Sequence, residues 1–215
     1  MPRRAKRYRG LAQASRLKVL DIVMARPGIG FAELADLTGL HQNTLRDHVR
    51  VLESTGLLRS RSEHRGTRGR PRTVLTAVRG DEPDEAADQS VLDAMRYGDL
   101  HRRLLSGEHD VGSEADTAEL HQLDALYWHL DGLGLQPELD EAELTAHLVP
   151  CPFDSPASGV RETACRVHET LVRDVLVRAG GPLELDSVMP YVTPQECRVQ
   201  LRRRCDVSSP GTARE

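Results

Sequence analysis

The stretch GLHQNTLRDHVRVLESTGLL, residues 39–58, decides the fold, with HRGTRGRPRTVLT, residues 64–76, close behind it. Leu45, Val49 and Leu52 recur at the spacing that aligns side chains on one helix face, and Gly56 marks where that helix ends. Upstream, Phe31, Leu34, Ala35 and Leu37 predict a short helix stopping at Gly39, whose missing Cβ suits the left-handed backbone of a sharp turn. A short helix, a glycine-containing turn and a second helix make a helix-turn-helix. Leu17, Leu20, Val23 and Met24 predict one more helix ahead of it, closed by the breaker pair Pro27-Gly28. Residues 57–61 and 73–76 read as two strands around a Gly/Arg-rich tip, a hairpin in the position of a wing.

Charge is distributed unevenly. Residues 1–80 carry 17 Lys/Arg against 6 Asp/Glu, residues 81–150 carry 3 against 18, and residues 151–215 carry 9 against 9. A basic N-terminal third next to an acidic middle points to a polyanion-binding domain followed by a segment with a different role. Two Phe, four Tyr and one Trp are too few for an aromatic platform that stacks bases. There is no apolar run of about 18 residues, and the basic start MPRRAKRYRG has no apolar stretch behind it. The expectation is a cytoplasmic protein with no membrane partner.

In a winged helix-turn-helix the third helix enters the major groove, which admits a helix and shows a different donor and acceptor pattern for each base pair. With Leu45, Val49 and Leu52 inward, Gln42, Asn43, Arg46 and Arg50 fall on the outer side, and Thr44 sits near the helix start, suited to a phosphate. Gln and Asn can bond adenine and Arg can bond guanine in bidentate fashion. Arg65, Arg68, Arg70 and Arg72 of the wing, with the arm Arg3, Arg4, Lys6, Arg7 and Arg9, suit a minor groove or the backbone. His41 and His48 read as turn and packing residues. The two quoted stretches resemble the winged-helix domain of ArsR-like bacterial transcription regulators. That resemblance covers about residues 10–80 and implies a homodimer on double-stranded DNA at an inverted-repeat operator.

The expected class is α+β, in four parts: a winged-helix domain with a basic arm over 1–80, a hinge and connector or dimerisation helix over 81–112, a cysteine-containing α+β sensor domain over 113–205, and a tail over 206–215. Residues 80–90 read as the hinge. Leu92, Met95, Leu100 and Leu104 then predict a helix weakened by Gly98. Leu120, Leu123, Tyr127 and Leu130 predict a helix halted by Gly132, Gly134 and Pro137. Leu144, Ala146 and Leu148 predict a half-buried strand, Ala164, Val167, Leu171 and Val175 a helix over 160–179, and Cys197, Val199 and Leu201 the inner face of a last strand.

All four cysteines, Cys151, Cys165, Cys197 and Cys205, lie in the last third. In a reducing compartment such clustering favours metal or redox chemistry over structural disulfides. No CxxC pair is present, which argues against zinc-knuckle folds. A strand exit, a helix start and a strand could still bring Cys151, Cys165 and Cys197 to one place, where thiolates repel unless a cation neutralises them. CPF at 151–153, ACRVHETL at 164–171 and ECRVQL at 196–201 resemble the C-terminal domain of SufR-type repressors. This resemblance implies an iron–sulfur cluster, 2Fe-2S or 4Fe-4S, held by Cys151, Cys165 and Cys197, with zinc as the alternative metal. The chain departs from the four-cysteine form of that family, since no cysteine lies between Cys165 and Cys197. The fourth ligand is open among His168, three residues past Cys165, and Cys205, Glu162, Glu169, a small thiol or water. An enzyme with Cys165 as nucleophile and His168 as base would lack an orienting acid and leave the basic wing without a role, so no catalytic residue is expected. A regulator answering to a small apolar effector and a constitutive dimeric DNA binder remain as competing readings.

Overall fold

A computed structural model describes residues 14–64, 71–106, 114–133, 135–148, 160–193 and 196–204. In chain order the elements are α1 (Ala14–Ala25), β1 (Ile29–Gly30), α2 (Phe31–Thr38), α3 (Gln42–Ser54), β2 (Leu58–Glu63), β3 (Arg72–Ala77), α4 (Glu85–Ser106), α5 (Glu114–Gly132), β4 (Pro137–Asp140), β5 (Thr145–Leu148), α6 (Val160–Ala179), β6 (Leu183–Thr193) and β7 (Glu196–Arg203). The chain mixes helix and sheet and begins with a winged helix-turn-helix. Gly39 caps α2 in the left-handed region at φ 71°, and its N–H bonds Ala35 O at 2.8 Å, as the turn chemistry requires. Leu17, Leu20, Leu34, Leu45 and Leu52 are fully buried between the three helices and the sheet β1-β3-β2. The short β1 was not foreseen: Ile29 and Gly30 pair with Leu75 and Val74 and anchor the base of the wing.

The C-terminal half stacks α5 and α6 on an antiparallel sheet ordered β4-β5-β7-β6. Gln122, almost fully buried on α5, ties the layers together. Its amide donates to Leu176 O and Leu183 O, both at 2.9 Å, and its oxygen accepts the Leu183 N–H at 2.7 Å. Each of these buried groups would cost about 1–3 kcal/mol if left unsatisfied.

Several expectations change here. Helix α4 starts at Glu85, so the supposed hinge is confined to a short turn after β3. Helix α4 runs unbroken through Gly98, whose missing Cβ lets α5 approach: a Cβ there would lie 2.1 Å from Asp124 Cγ. The buried stripe of α5 is Leu123, Leu126 and Leu130, with Tyr127 turned outward. The strands β4 and β6 were missed.

Helix α6 joins the two halves. Near its start Arg166 makes a bidentate pair with Asp21 of α1, at 2.9 and 3.0 Å. Toward its end Asp174 Oδ1 accepts the Gly80 N–H at 3.0 Å, and the Arg178 guanidinium donates to Arg79 O and Glu82 O and pairs with Asp88. Gly80 packs so tightly on α6 that a Cβ would sit 2.3 Å from Asp174 O. One hydrophobic cluster runs from α1 and α3 through to β7.

Candidate functional site

Helix α3 opens on His41, whose extended backbone precedes the first turn and whose Nδ1 accepts the Asn43 N–H at 3.3 Å. Because Leu45, Val49 and Leu52 point into the core, Gln42, Asn43, Thr44, Arg46 and Arg50 are all exposed on the other side. Arg46 donates to Asn43 Oδ1 at 3.2 Å and Gln42 Oε1 at 3.4 Å, so three of these residues form one hydrogen-bonded group. Arg50 pairs with Asp47 at 3.1 Å, a well-solvated contact that a phosphate or base can displace at little cost. His48 packs inward, with Nε2 2.9 Å from Ser15 Oγ, and burial followed by the nearby Arg16 lowers its pKa. It is a neutral packing residue that fixes α3 on α1.

Arg72 stands at the base of the wing. Its guanidinium lies against Gly30, where a Cβ would meet Arg72 Nε at 2.3 Å, and its nearest anion is Glu33 at 3.6 Å. Arg72 and Arg46 line one open cleft together with Phe31 and Thr73. Helix and wing thus bring two expected DNA-facing cations to the same groove. Arg65, Arg68 and Arg70 lie outside the described residues.

The second cluster is internal. Cys165 and His168, both half-buried on α6, and the buried Cys197 of β7 line one cavity whose other walls are aliphatic, among them Leu130, Leu135, Leu148 and Val172. Neither Cys165 nor Cys197 is part of a disulfide. The cavity measures about 30 Å³, room for roughly one or two waters. Burial lowers the His168 imidazole to about 4, so it is neutral, the form in which imidazole binds metals. His129 of α5 is also pushed down to about 4, by burial first and then by His168.

Two thiols and a neutral imidazole are a soft donor set that fits a thiolate-held metal group. Among the described residues, however, no group of three or more His, Cys, Asp or Glu side chains is arranged to hold a metal ion. Cys151 and Cys205 lie outside the described residues. Leu148, three residues before Cys151, pairs with Cys197 in the β5–β7 register.

Sequence reading missed Gln122, Asp174 and Arg178. Single polar residues on amphipathic helices carry no local mark of a partner 54 to 99 positions away.

Residues 11–61 match the family model of a helix-turn-helix domain, which supports a DNA-binding transcriptional regulator. No curated protein and no solved structure matches the chain. Among the described residues, no helix is long and apolar enough to cross a membrane.

Proposed function

We propose that the chain is a homodimeric winged-helix repressor at an inverted-repeat operator, whose DNA affinity is set by a cysteine-held iron–sulfur cluster in its C-terminal half. For DNA recognition the support is the exposed group Gln42, Asn43 and Arg46 on α3, beside Arg72 of the wing. For the cofactor, the observation that carries the reading is that Cys165, His168 and Cys197, though separated by up to 32 positions, border one cavity.

Cys151, Cys165 and Cys197 would hold the cluster, with His168 as the fourth ligand, and a bound cluster would supply a labile group that responds to oxidants or to iron supply. Helix α6 carries the signal. Its first half bears Cys165 and His168 and grips α1 through Arg166, while its second half grips the wing exit through Asp174 and Arg178. A shift of α6 therefore acts on both sides of the helix-turn-helix. Such couplings are typically about 1–3 kcal/mol, enough to change operator affinity about 5- to 150-fold.

The small cavity favours a second reading, a single zinc ion on the same residues, since about 30 Å³ takes an ion more easily than a cluster. Anaerobic purification separates the two. Brown protein with bound iron and sulfide, losing its colour in Cys165→Ser and Cys197→Ser but not in Cys205→Ser, supports the cluster. Colourless protein with stoichiometric zinc supports the ion. Metal-free protein that binds DNA identically under all conditions overturns both and leaves a constitutive DNA binder.

A further inference from the structure

Among the described residues, helix α4 packs one of its faces within the chain. Val91 and Ala94 are buried against Ala125 of α5, Gly98 touches Asp124, and Arg102 donates to both oxygens of Asp124 at 2.9 and 2.7 Å. At 100° per residue, the row Leu92, Arg96, Leu100 and Leu104 points the other way. Leu92, Leu100 and Leu104 are 46%, 54% and 75% exposed. Among the described residues Arg96 and Arg103 have no ion-pair partner, and Asp93 accepts only the Gln89 amide, at 2.8 Å. Three exposed leucines, interrupted by Arg96 and flanked by charges of both signs with no ion-pair partner among the described residues, have the composition of a contact surface awaiting its complement.

A second copy of the same face supplies that complement. In an antiparallel two-fold pairing centred on residue 98, residue i faces residue 196 − i. Leu92 then meets Leu104 of the second copy, Asp93 meets Arg103, and Arg96 lies beside Leu100, each contact occurring twice. Neighbouring registers are worse. Moving the centre two residues toward the N-terminus sets Arg96 against Arg96 and Asp93 against Asp99. Moving it two toward the C-terminus carries the positions opposite Leu92 and Asp93 past Ser106, where α4 ends.

We propose that α4 packs antiparallel on α4 of a second copy in the register centred on residue 98, with Asp93 paired to Arg103 across the two-fold axis. This rests on the homodimer reading above and gives it a surface. It also sets the span of the DNA-binding parts. Gly56, just past the end of α3, abuts Ala87 on α4. Ala87 is 11 residues from the centre, so the two Ala87 residues lie about 33 Å apart at 1.5 Å rise per residue. That is close to the roughly 34–36 Å between successive major grooves on one side of the duplex.

The test uses the full chain, free of DNA, in sedimentation equilibrium at low salt, with far-UV circular dichroism confirming that each variant is folded. Asp93→Arg and Arg103→Asp should each weaken the dimer by at least about tenfold, because each reversal creates two like-charge contacts. The double variant Asp93→Arg/Arg103→Asp should return to within about threefold of the parent, since the pair is restored with its signs exchanged. Leu100→Lys should weaken dimerisation as strongly as either single reversal, because it sets a cation beside Arg96 of the second copy. Single reversals that dimerise like the parent would overturn the proposed face, and a double variant that stays weak would overturn the register. A parent chain that is monomeric even at about 0.1 mM would instead defeat the homodimer reading itself.

Discussion

Replacing Gly98 with alanine asks whether the α4–α5 contact or helix propensity governs this position. In an exposed helix interior, Gly→Ala stabilises by about 0.8–1 kcal/mol. At residue 98 the new Cβ would lie 2.1 Å from Asp124 Cγ and 2.2 Å from both carboxylate oxygens, the same oxygens that hold Arg102. The methyl fits only if Asp124 swings away and gives up both bonds. The Asp124 side chain is 15% exposed and that of Arg102 33%. Breaking a fully buried pair costs about 3–5 kcal/mol, and partial solvation of Arg102 reduces this to about 2–3. After the propensity gain, Gly98→Ala should destabilise by about 1–2 kcal/mol, a fall in Tm of roughly 2–8 °C for a chain of this length. In an Asp124→Ala background the obstruction is gone, and the same change should stabilise by about 1 kcal/mol. Urea denaturation of the four proteins followed by circular dichroism measures the coupling, expected at about 2–3 kcal/mol. If Gly98→Ala stabilises the parent chain, or the two changes are additive, the argument for why glycine stands there is wrong.

Further outcomes follow from the same geometry. Gln122→Ala should cost about 2–4 kcal/mol in a urea titration, because the buried N–H and C=O of Leu183 lose their partner and Leu176 O keeps the Gly180 N–H alone. His129 titrates at about 4 in the folded chain, below the ordinary imidazole value of 6.5. Its contribution to stability is therefore complete above about pH 6.5 and drains away as pH falls toward 4, by up to about 1.4 kcal/mol per pH unit. Urea midpoints measured across that range should slope less steeply in His129→Leu, the remaining slope coming from His168, which burial lowers to the same value. Arg50→Ala, which gives up only a solvated pair with Asp47, should leave stability within about 0.5 kcal/mol while weakening DNA binding. Fluorescence anisotropy over a salt series tells the nature of the contact. A phosphate contact lowers the log–log salt slope by about 0.9, whereas a base contact changes preference at one position by about 1–3 kcal/mol.

The helix-turn-helix was legible in the sequence because its signals agree at every level. Leu45, Val49 and Leu52 share a face, Gly39 stands where the backbone turns left-handed, and His48 is buried, as its place near that stripe required. The four-stranded sheet was only half legible. Strands β5 and β7 are central and β7 alternates cleanly, whereas β4 opens on Pro137 and β6 contains Pro190 and a register irregularity between Leu185 and Ser187. Both are edge strands, the position where a missing N–H and a bulge are tolerated, and the same features read as breakers in the bare sequence. Gly98 misled for a related reason: propensity describes an isolated helix, and a close helix–helix approach overrides it. On α5, the Leu120, Leu123, Tyr127 and Leu130 spacing fitted a helix as well as the true stripe does, and only packing against α6 selects Leu126 over Tyr127. In the cysteine cavity, the inward aim of Cys197 followed from strand alternation. That Cys165 and His168 face it could not, because the pairing of α6 with the sheet depends on contacts such as Gln122 that leave no local pattern.

On the proposed function, the state of the cysteine cavity controls how tightly α3 and the wing hold DNA. Its most direct test is the affinity of anaerobically purified protein for a duplex selected from a random pool, measured before and after treatment with a chelator. A palindromic selected site is expected, with a change in affinity of at least about fivefold on metal removal, the lower end of the usual coupling between two sites. Identical affinities before and after stripping the metal would contradict it.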